Sequence, residues 1–278
     1  MLPDGFRHHA SGRRDRTASS VGGRVNGAWP ALGSCACLTS ISRTRRLVAI
    51  YDPLDPDRGD LEVYVDIVSE LGAHRVLDVG CGTGTFALRL ASRGLEVTGV
   101  DPARGSLEVA QAKPGAERVH WIYGDATALP AFQVDLATMT ANVAQAIVDP
   151  AAWDRTLRGV YEVLRPGGHL VFETRNPAYR AWQEWTRAAT YAVTEVKGLG
   201  VVENWVEVID VSLPFVSFRS TWVFASDGQA LASDSTLRFR EREEVEAALI
   251  GHGYSVGEVR DAPDRPGREF VFFACRPS

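Results

Sequence analysis

With 278 residues, 45% of them apolar and 23% charged, the chain can build one sizeable core plus an appendage. A net charge of −5 argues against a general nucleic-acid binder, and no apolar run reaches the roughly 18 residues that a membrane-spanning helix needs. Cys35, Cys37, Cys81 and Cys275 form neither a disulfide framework nor a paired zinc motif, so a cytoplasmic protein without a metal is expected.

Residues 1–46 carry eight arginines against Asp4 and Asp15 and sustain no helical or strand period. They are expected to be a disordered N-terminal extension, the alternative being the composition of a transit peptide. Only Lys113 and Lys197 among the 30 basic residues are lysines, a skew expected of a GC-rich, bacterial genome.

Ordered pattern begins at residue 47, and one domain is expected over 47–278. Apolar spacing predicts a helix over 60–71 with Asp60 as its N-cap, then a buried strand over 74–79 ending at Gly80. A helix over 86–92, a strand over 96–100 ending at Asp101 and a helix over 106–113 follow. Strands are predicted over 119–123 and 134–138, then a helix over 153–164 closed by Pro166-Gly167-Gly168, and a fifth strand over 169–174. This alternation predicts a parallel sheet with helices on both faces and right-handed crossovers.

The rhythm changes after Asn176. A helix is expected over 178–192, carrying Trp182 and Trp185 as packed rings or as an aromatic wall. Strands follow over 202–211, 216–225 and 231–239, turning at Pro214 and Asp227-Gly228. A helix over 242–251 and strands over 256–260 and 270–275 complete the chain. Residues 178–240 therefore read as an antiparallel cap inserted after the fifth strand. Along 202–211, Val202, Asn204, Val206, Val208 and Asp210 share one face, and Glu203, Trp205, Glu207, Ile209 and Val211 the other. Alternation does not say which face turns inward. A tryptophan between acids would suit a cationic acceptor, which makes Trp205, and with it Arg219, candidates for acceptor turnover.

The run Val76-Leu77-Asp78-Val79-Gly80-Cys81-Gly82-Thr83-Gly84-Thr85 takes a buried strand into three spaced glycines, where backbone can pass close to a ligand. Dinucleotide-binding proteins use a similar turn, but the acid Asp78 within the strand end, and Thr85 where their fingerprint has Gly or Ala, depart from it. Asp101 closes the next strand about 20 residues on, where an acid can accept from ribose hydroxyls. Pro102 follows it in first-turn position. After the third strand, Asp125 in Gly124-Asp125-Ala126 fits an adenine amine or a plain turn.

These motifs, spread over residues 76–174, resemble the class I S-adenosylmethionine-dependent methyltransferases. The resemblance implies a doubly wound, Rossmann-like, seven-stranded sheet, mostly parallel with an antiparallel last strand. It also implies S-adenosyl-L-methionine as cofactor. Asp78 would lie near the methionine amino group, Gly80, Cys81, Gly82 and Gly84 would line the cofactor, and Asp101 with Pro102 would meet the ribose. Asp125 and Ala126 would border the adenine, and Asn142 and Val143 would approach from the fourth strand. Leu164-Arg165-Pro166-Gly167-Gly168 matches the turn before the family's fifth strand.

A sulfonium carries its own activation, so no universal catalytic residue is expected, and a base is needed only for a protonated acceptor. Thr140, Asn142, Val143 and Gln145 follow strand four, and Glu173, Arg175 and Asn176 follow strand five. Glu173 is a candidate base or an ion-pair partner of Arg175. The Asn/Asp-Pro-Pro-Tyr-like loop of nucleic-acid amine and glutamine methyltransferases is replaced by Thr140-Ala141-Asn142-Val143-Ala144-Gln145. Transfer to a small-molecule acceptor is therefore the expected function. The alternatives are a methyltransferase of protein or RNA, and a cofactor-binding relative without transfer. A nicotinamide oxidoreductase is disfavoured by Asp78 and Thr85.

Overall fold

The computed structural model describes residues 45–278, and the expected N-terminal extension lies outside the described residues except for Arg45 and Arg46. Those two open helix α1 (Arg45–Leu54), which is followed by α2 (Asp60–Glu70), β1 (Arg75–Val79), α3 (Thr85–Ser92), β2 (Glu96–Asp101) and α4 (Arg104–Ala112). Next come β3 (Val119–Tyr123), β4 (Val134–Met139), the single turn α5 (Val143–Ala146), α6 (Pro150–Val163) and β5 (Leu164–Arg175). The cap holds the short α7 (Arg187–Thr190), β6 (Ala192–Val196), β7 (Gly200–Ser212), β8 (Phe215–Phe224) and β9 (Ala230–Arg238). Helix α8 (Arg242–Gly251) leads to β10 (Ser255–Asp261) and β11 (Glu269–Cys275).

The main sheet runs β10-β11-β5-β4-β1-β2-β3. The five strands from β5 to β3 are parallel, and β11 lies antiparallel to both its neighbours, as expected. In β1, Val76 faces a core built with Leu61, Phe86 and Leu90, whereas Leu77 faces another built with Leu157, Val160 and Phe172. Burial on both faces explains why this strand reads as an apolar run without alternation. Among the described residues no helix is long and apolar enough to cross a membrane.

Four local expectations are corrected. Helix α2 is capped from Gly59, because the Asp60 carboxylate is held by the Arg58 guanidinium at 3.1 and 3.2 Å. Strand β5 starts at Leu164 and takes up Pro166-Gly167-Gly168 as a register shift against β4. A Cβ at Gly168 would stand 2.9 Å from the Arg165 carbonyl and 3.1 Å from that of Asp135, so this close approach requires glycine. No helix spans 178–192: two 3-10 turns, α7 and β6 take its place. Asn176 caps the first turn, Arg180 adopts φ 54° and Thr186 caps α7. That broken path lets Trp182 pack edge-on to Phe239 at 4.7 Å while Trp185 meets Phe218 at 5.1 Å. The cap sheet consequently has four strands, β6-β7-β8-β9, where three were expected.

The Val202 face of β7 turns inward. Val202, Trp222 and Phe224 pack with Leu47, Val48 and Ile50 of α1 and with Ala103. At the other end Val206, Val216, Phe218 and Leu237 pack with Ala146, Trp182 and Trp185. A register shift between Val208 and Asp210 frees Asp210 from the inward face, and it is exposed. Buried Arg240 fastens the return from the cap, donating to the Ala144 carbonyl at 2.9 Å and the Ile147 carbonyl at 2.6 Å. Helix α1 ties the cap to the domain: Arg46 meets Asp227 at 2.6 Å and lies over the Phe224 ring.

Candidate active site

The parallel strands end on one edge, where the loops after β1, β2 and β4 enclose a cleft. Gly80, Gly82 and Gly84 all adopt positive φ, at 73°, 54° and 79°. The N–H groups of Gly80 and Cys81 donate to the Val100 carbonyl at 2.8 and 3.1 Å, pinning the turn to β2. The glycines differ in purpose. A Cβ on Gly82 would meet nothing within 4 Å, so its backbone stands open on the cleft, whereas one on Gly84 would lie 2.6 Å from the Trp121 ring. Gly84 therefore serves packing and strain relief and is turned away from the cleft.

Asp78 is 1% exposed, and among the described residues neither of its buried carboxylate oxygens has a hydrogen-bond partner. Burial, and then the charge of Asp101, push its pKa up to about 7. A buried acid without a partner is costly, and a cationic ligand group would relieve it. Asp101 lies beneath the turn: its Oδ2 accepts from the Gly82 N–H at 2.9 Å and its Oδ1 from the Ala103 N–H at 2.7 Å. Burial raises this acid to about 6 despite those bonds. Helix α4 begins at Arg104, so Pro102 precedes the helix and does not occupy its first turn.

Two clefts adjoin. One, of about 490 Å³, is lined by Tyr51, Arg58, Asp78, Gly80, Cys81, Gly82, Thr140 and Ala141. The other, of about 420 Å³, is lined by Pro102, Asp125, Ala126, Ile147 and Thr156. Gly80 and Val143 line both, so together they form one elongated site with an end at Asp78 and a more apolar end at Pro102 and Ile147. Asp125 caps its own turn, with Oδ1 accepting from the Thr127 N–H at 2.8 Å. Ala126 is pressed against α6, where a Cβ on Gly159 would fall 1.8 Å from its carbonyl oxygen.

Of the residues expected at the cofactor, Asp101 is 0% exposed behind the glycine turn and lines neither cleft, whereas Asp78, Gly80, Cys81, Gly82, Pro102, Asp125, Ala126 and Val143 line this site. Asn142 does not. It is fully buried, its N–H donating to Glu173 Oε1 at 2.7 Å and its Nδ2 to Glu269 Oε1 at 3.1 Å. Ala141 and Asn142 both hold left-handed φ, at 59° and 60°, a strained path that the Glu173 contact fixes. Glu173 also accepts from the Tyr64 hydroxyl. Burial and the neighbouring Glu269 raise Glu173 to about 7. The expected Glu173–Arg175 pair is absent: Arg175 donates to Gln145 Oε1 at 2.9 Å and lies over the Trp185 ring. Arg175 and Trp185 line a further cavity of about 700 Å³.

Tyr51, Arg58, Ile147 and Thr156 were not anticipated, because they reach the site from elements with no motif of their own. Asp52 is similar: it accepts from the Thr83 hydroxyl and pairs with Lys113, both at 2.7 Å, clamping α1 over the glycine turn. The opposite correction applies to Trp205 and Arg219. They lie on the outer face of the cap, where Trp205 donates to Glu207 at 2.7 Å and Arg219 pairs with Asp234 at 2.6 Å.

The geometry fits S-adenosylmethionine: a buried carboxylate for the ammonium, an acid under a glycine turn on the ribose side, and a mostly apolar end for the base. Residues 76–168 match the methyltransferase domain family model. A ubiquinone biosynthesis O-methyltransferase from Alkalilimnicola ehrlichii is 32% identical over 123 residues, which are 42% of this chain and 49% of that protein. The match thus spans about half the length of that relative. The CcbJ methyltransferase of Streptomyces caelestis superposes with a TM-score of 0.68 at 20% identity, covering 87% of this chain and 99% of that one. The sugar N-methyltransferase KedS8 of Streptoalloteichus sp. gives 0.66 at 20% identity, covering 82% and 93%. Residues 76–168 are thus a methyltransferase domain, and the chain has the fold of the class I, Rossmann-like methyltransferases, whose cofactor is S-adenosylmethionine.

Proposed function

We propose that this chain methylates a small-molecule acceptor enclosed between the cofactor cleft and the cap. The observation that carries the reading is the cap fastened at both ends, by α1 and Ala103 on one side and by Ala146 with Trp182 and Trp185 on the other. Such a roof favours a compact acceptor over a polymer, and the methyltransferases named above, of ubiquinone biosynthesis and of a sugar, support it. The cysteine usage supports a cytoplasmic setting. When bound, S-adenosylmethionine supplies a sulfonium methyl group that an acceptor lone pair can attack in line, with S-adenosylhomocysteine leaving as the neutral thioether.

The chain's own residues orient and exclude water. Asp78, ionised, holds the amino group, with Arg58 lining the same end. Asp101 accepts from the ribose while keeping Gly82 in place. Pro102, Asp125 and Ala126 bound the base. Thr140 and Ala141, fixed through Asn142 and Glu173, form the wall nearest the acceptor space. Glu173 acts here by positioning the loop.

The test is incubation of the purified protein with methyl-labelled S-adenosylmethionine and a bacterial extract. Label in the filterable small-molecule fraction is expected. Label retained on protein or RNA would overturn the reading.

A further inference from the structure

The inward face of the cap has a feature that apolar packing does not explain. Each of β7, β8 and β9 starts and ends that face with apolar residues, and each carries a buried polar residue between them. Asn204 lies between Val202 and Val206, and Ser220 between Trp222 and Phe218. In β9 the position is taken by Ser233 and Ser235, before Leu237. Ser220 stands directly opposite both Val206 and Ser233, and Asn204 is one step along the same face, so the polar residues form a stripe across three strands.

Asn204, Ser220 and Ser235 are unsatisfied among the described residues. Asn204 is 0% exposed, and neither its Oδ1 nor its Nδ2 has a hydrogen-bond partner, nor does the hydroxyl of Ser220 or of Ser235. Each orphaned buried group destabilises the fold, and several are hard to sustain in one place unless something supplies the missing partners. The two apolar clusters that flank the stripe rest on Ala103, just after Asp101, and on Ala146, just after the β4 loop. Ala103 and Ala146 thus bracket the stripe, one following the end of β2 and the other the loop after β4. Among the described residues of the cap strands no charged side chain accompanies it: Glu203, Glu207, Arg219 and Asp234 alternate to the outer face.

From this we infer, building on the small-molecule reading above, that Asn204, Ser220 and Ser235 bind the acceptor through its neutral hydroxyl groups, and that the acceptor is a polyhydroxylated molecule. An amide presents a donor and an acceptor together, as two neighbouring hydroxyls require, and the serine hydroxyls serve in either sense.

The experiment uses the full chain loaded with S-adenosylhomocysteine and two probes at millimolar concentration, methyl β-D-glucopyranoside and phenol, read by saturation-transfer NMR. The glucoside is expected to receive saturation from the wild type, and phenol much less. Asn204→Leu and Ser220→Ala should lose the glucoside signal, keep S-adenosylhomocysteine affinity within about twofold, and melt higher by about 2–4 °C because an unpaired buried group is gone. A wild type that ignores the glucoside or prefers phenol overturns the assignment. So do variants that melt lower, since the stripe would then be satisfied within the fold. A wild type that binds S-adenosylhomocysteine and turns over only macromolecules would instead sink the small-molecule reading itself.

Discussion

The glycine turn and the cap sheet are both held by α1 and are built by opposite rules. In the turn, function lies in backbone: positive φ at Gly80 and Gly82, N–H groups held by Val100 and Asp101, and one carboxylate, Asp78, without a partner. In the cap, function lies in which face of a strand looks inward, and that is decided by packing against α1, α5 and the two tryptophans. Motifs made of backbone tolerate few residue types, whereas a strand face tolerates many. Helix α1 joins the two, with Arg46 on the cap and Asp52 on the turn.

The sharpest way to break this contrast is Gly82→Val. Its φ of 54° suits glycine, and a branched side chain would project into the cleft. Calorimetry should find S-adenosylhomocysteine affinity reduced by about 100-fold or more, corresponding to about 2.7 kcal/mol. Near-normal binding by the folded variant would remove the turn from the site.

Next in size is Asp78→Asn. Loss of a charged hydrogen-bond acceptor should weaken S-adenosylhomocysteine by about 10- to 100-fold, and the unliganded variant should melt higher because a buried charge is gone. A lower melting temperature with unchanged affinity would make Asp78 a structural acid.

The pH dependence sharpens the same point. Both acids bind protons more tightly in the fold than in the unfolded chain, at about 7 for Asp78 and about 6 for Asp101 against 3.8. Stability from these two groups is thus fully present below about 3.8 and is lost as pH rises from there through about 6 for Asp101 and about 7 for Asp78. A ligand ammonium favours the ionised Asp78, so binding releases a proton below its pKa. Affinity for S-adenosylhomocysteine should fall about tenfold from about pH 8 to about pH 6, and Asp78→Asn should remove most of that slope. A slope unchanged in the variant would place the titrating group elsewhere.

The smallest effect belongs to the cap's outer face. Trp205→Ala should leave acceptor kcat/KM within about twofold, because the ring packs under Arg187 and against Glu207 on the far side of the sheet. A large loss of turnover there would mean that the cap opens to present its outer face.

The strand order and most of the cofactor end were legible because period and motif are local: Asp78, Gly80, Gly82, Asp125 and Ala126 arrive where their spacing places them. Asn142 could not be read that way, since a left-handed residue at the end of β4 aims its side chain at Glu269, more than 100 positions along the chain. Gly84 was legible as a glycine but not in its purpose, which depends on Trp121 from β3. Residues 178–192 carried a helical period, yet Pro177, the Thr186 cap and two tryptophans with different neighbours broke it into turns. The inward face of β7 was equally hidden, because either alternation contained enough apolar residues to pack.

A crystal structure with S-adenosylhomocysteine tests the account most directly. It should place the ligand's amino group against Asp78, its ribose over Asp101 and its adenine between Pro102, Asp125 and Ala126. The sulfur should face Thr140 and Ala141 beneath the stripe of Asn204 and Ser220. A ligand bound elsewhere, or a sulfur opening onto an exposed surface that the cap does not cover, would contradict it.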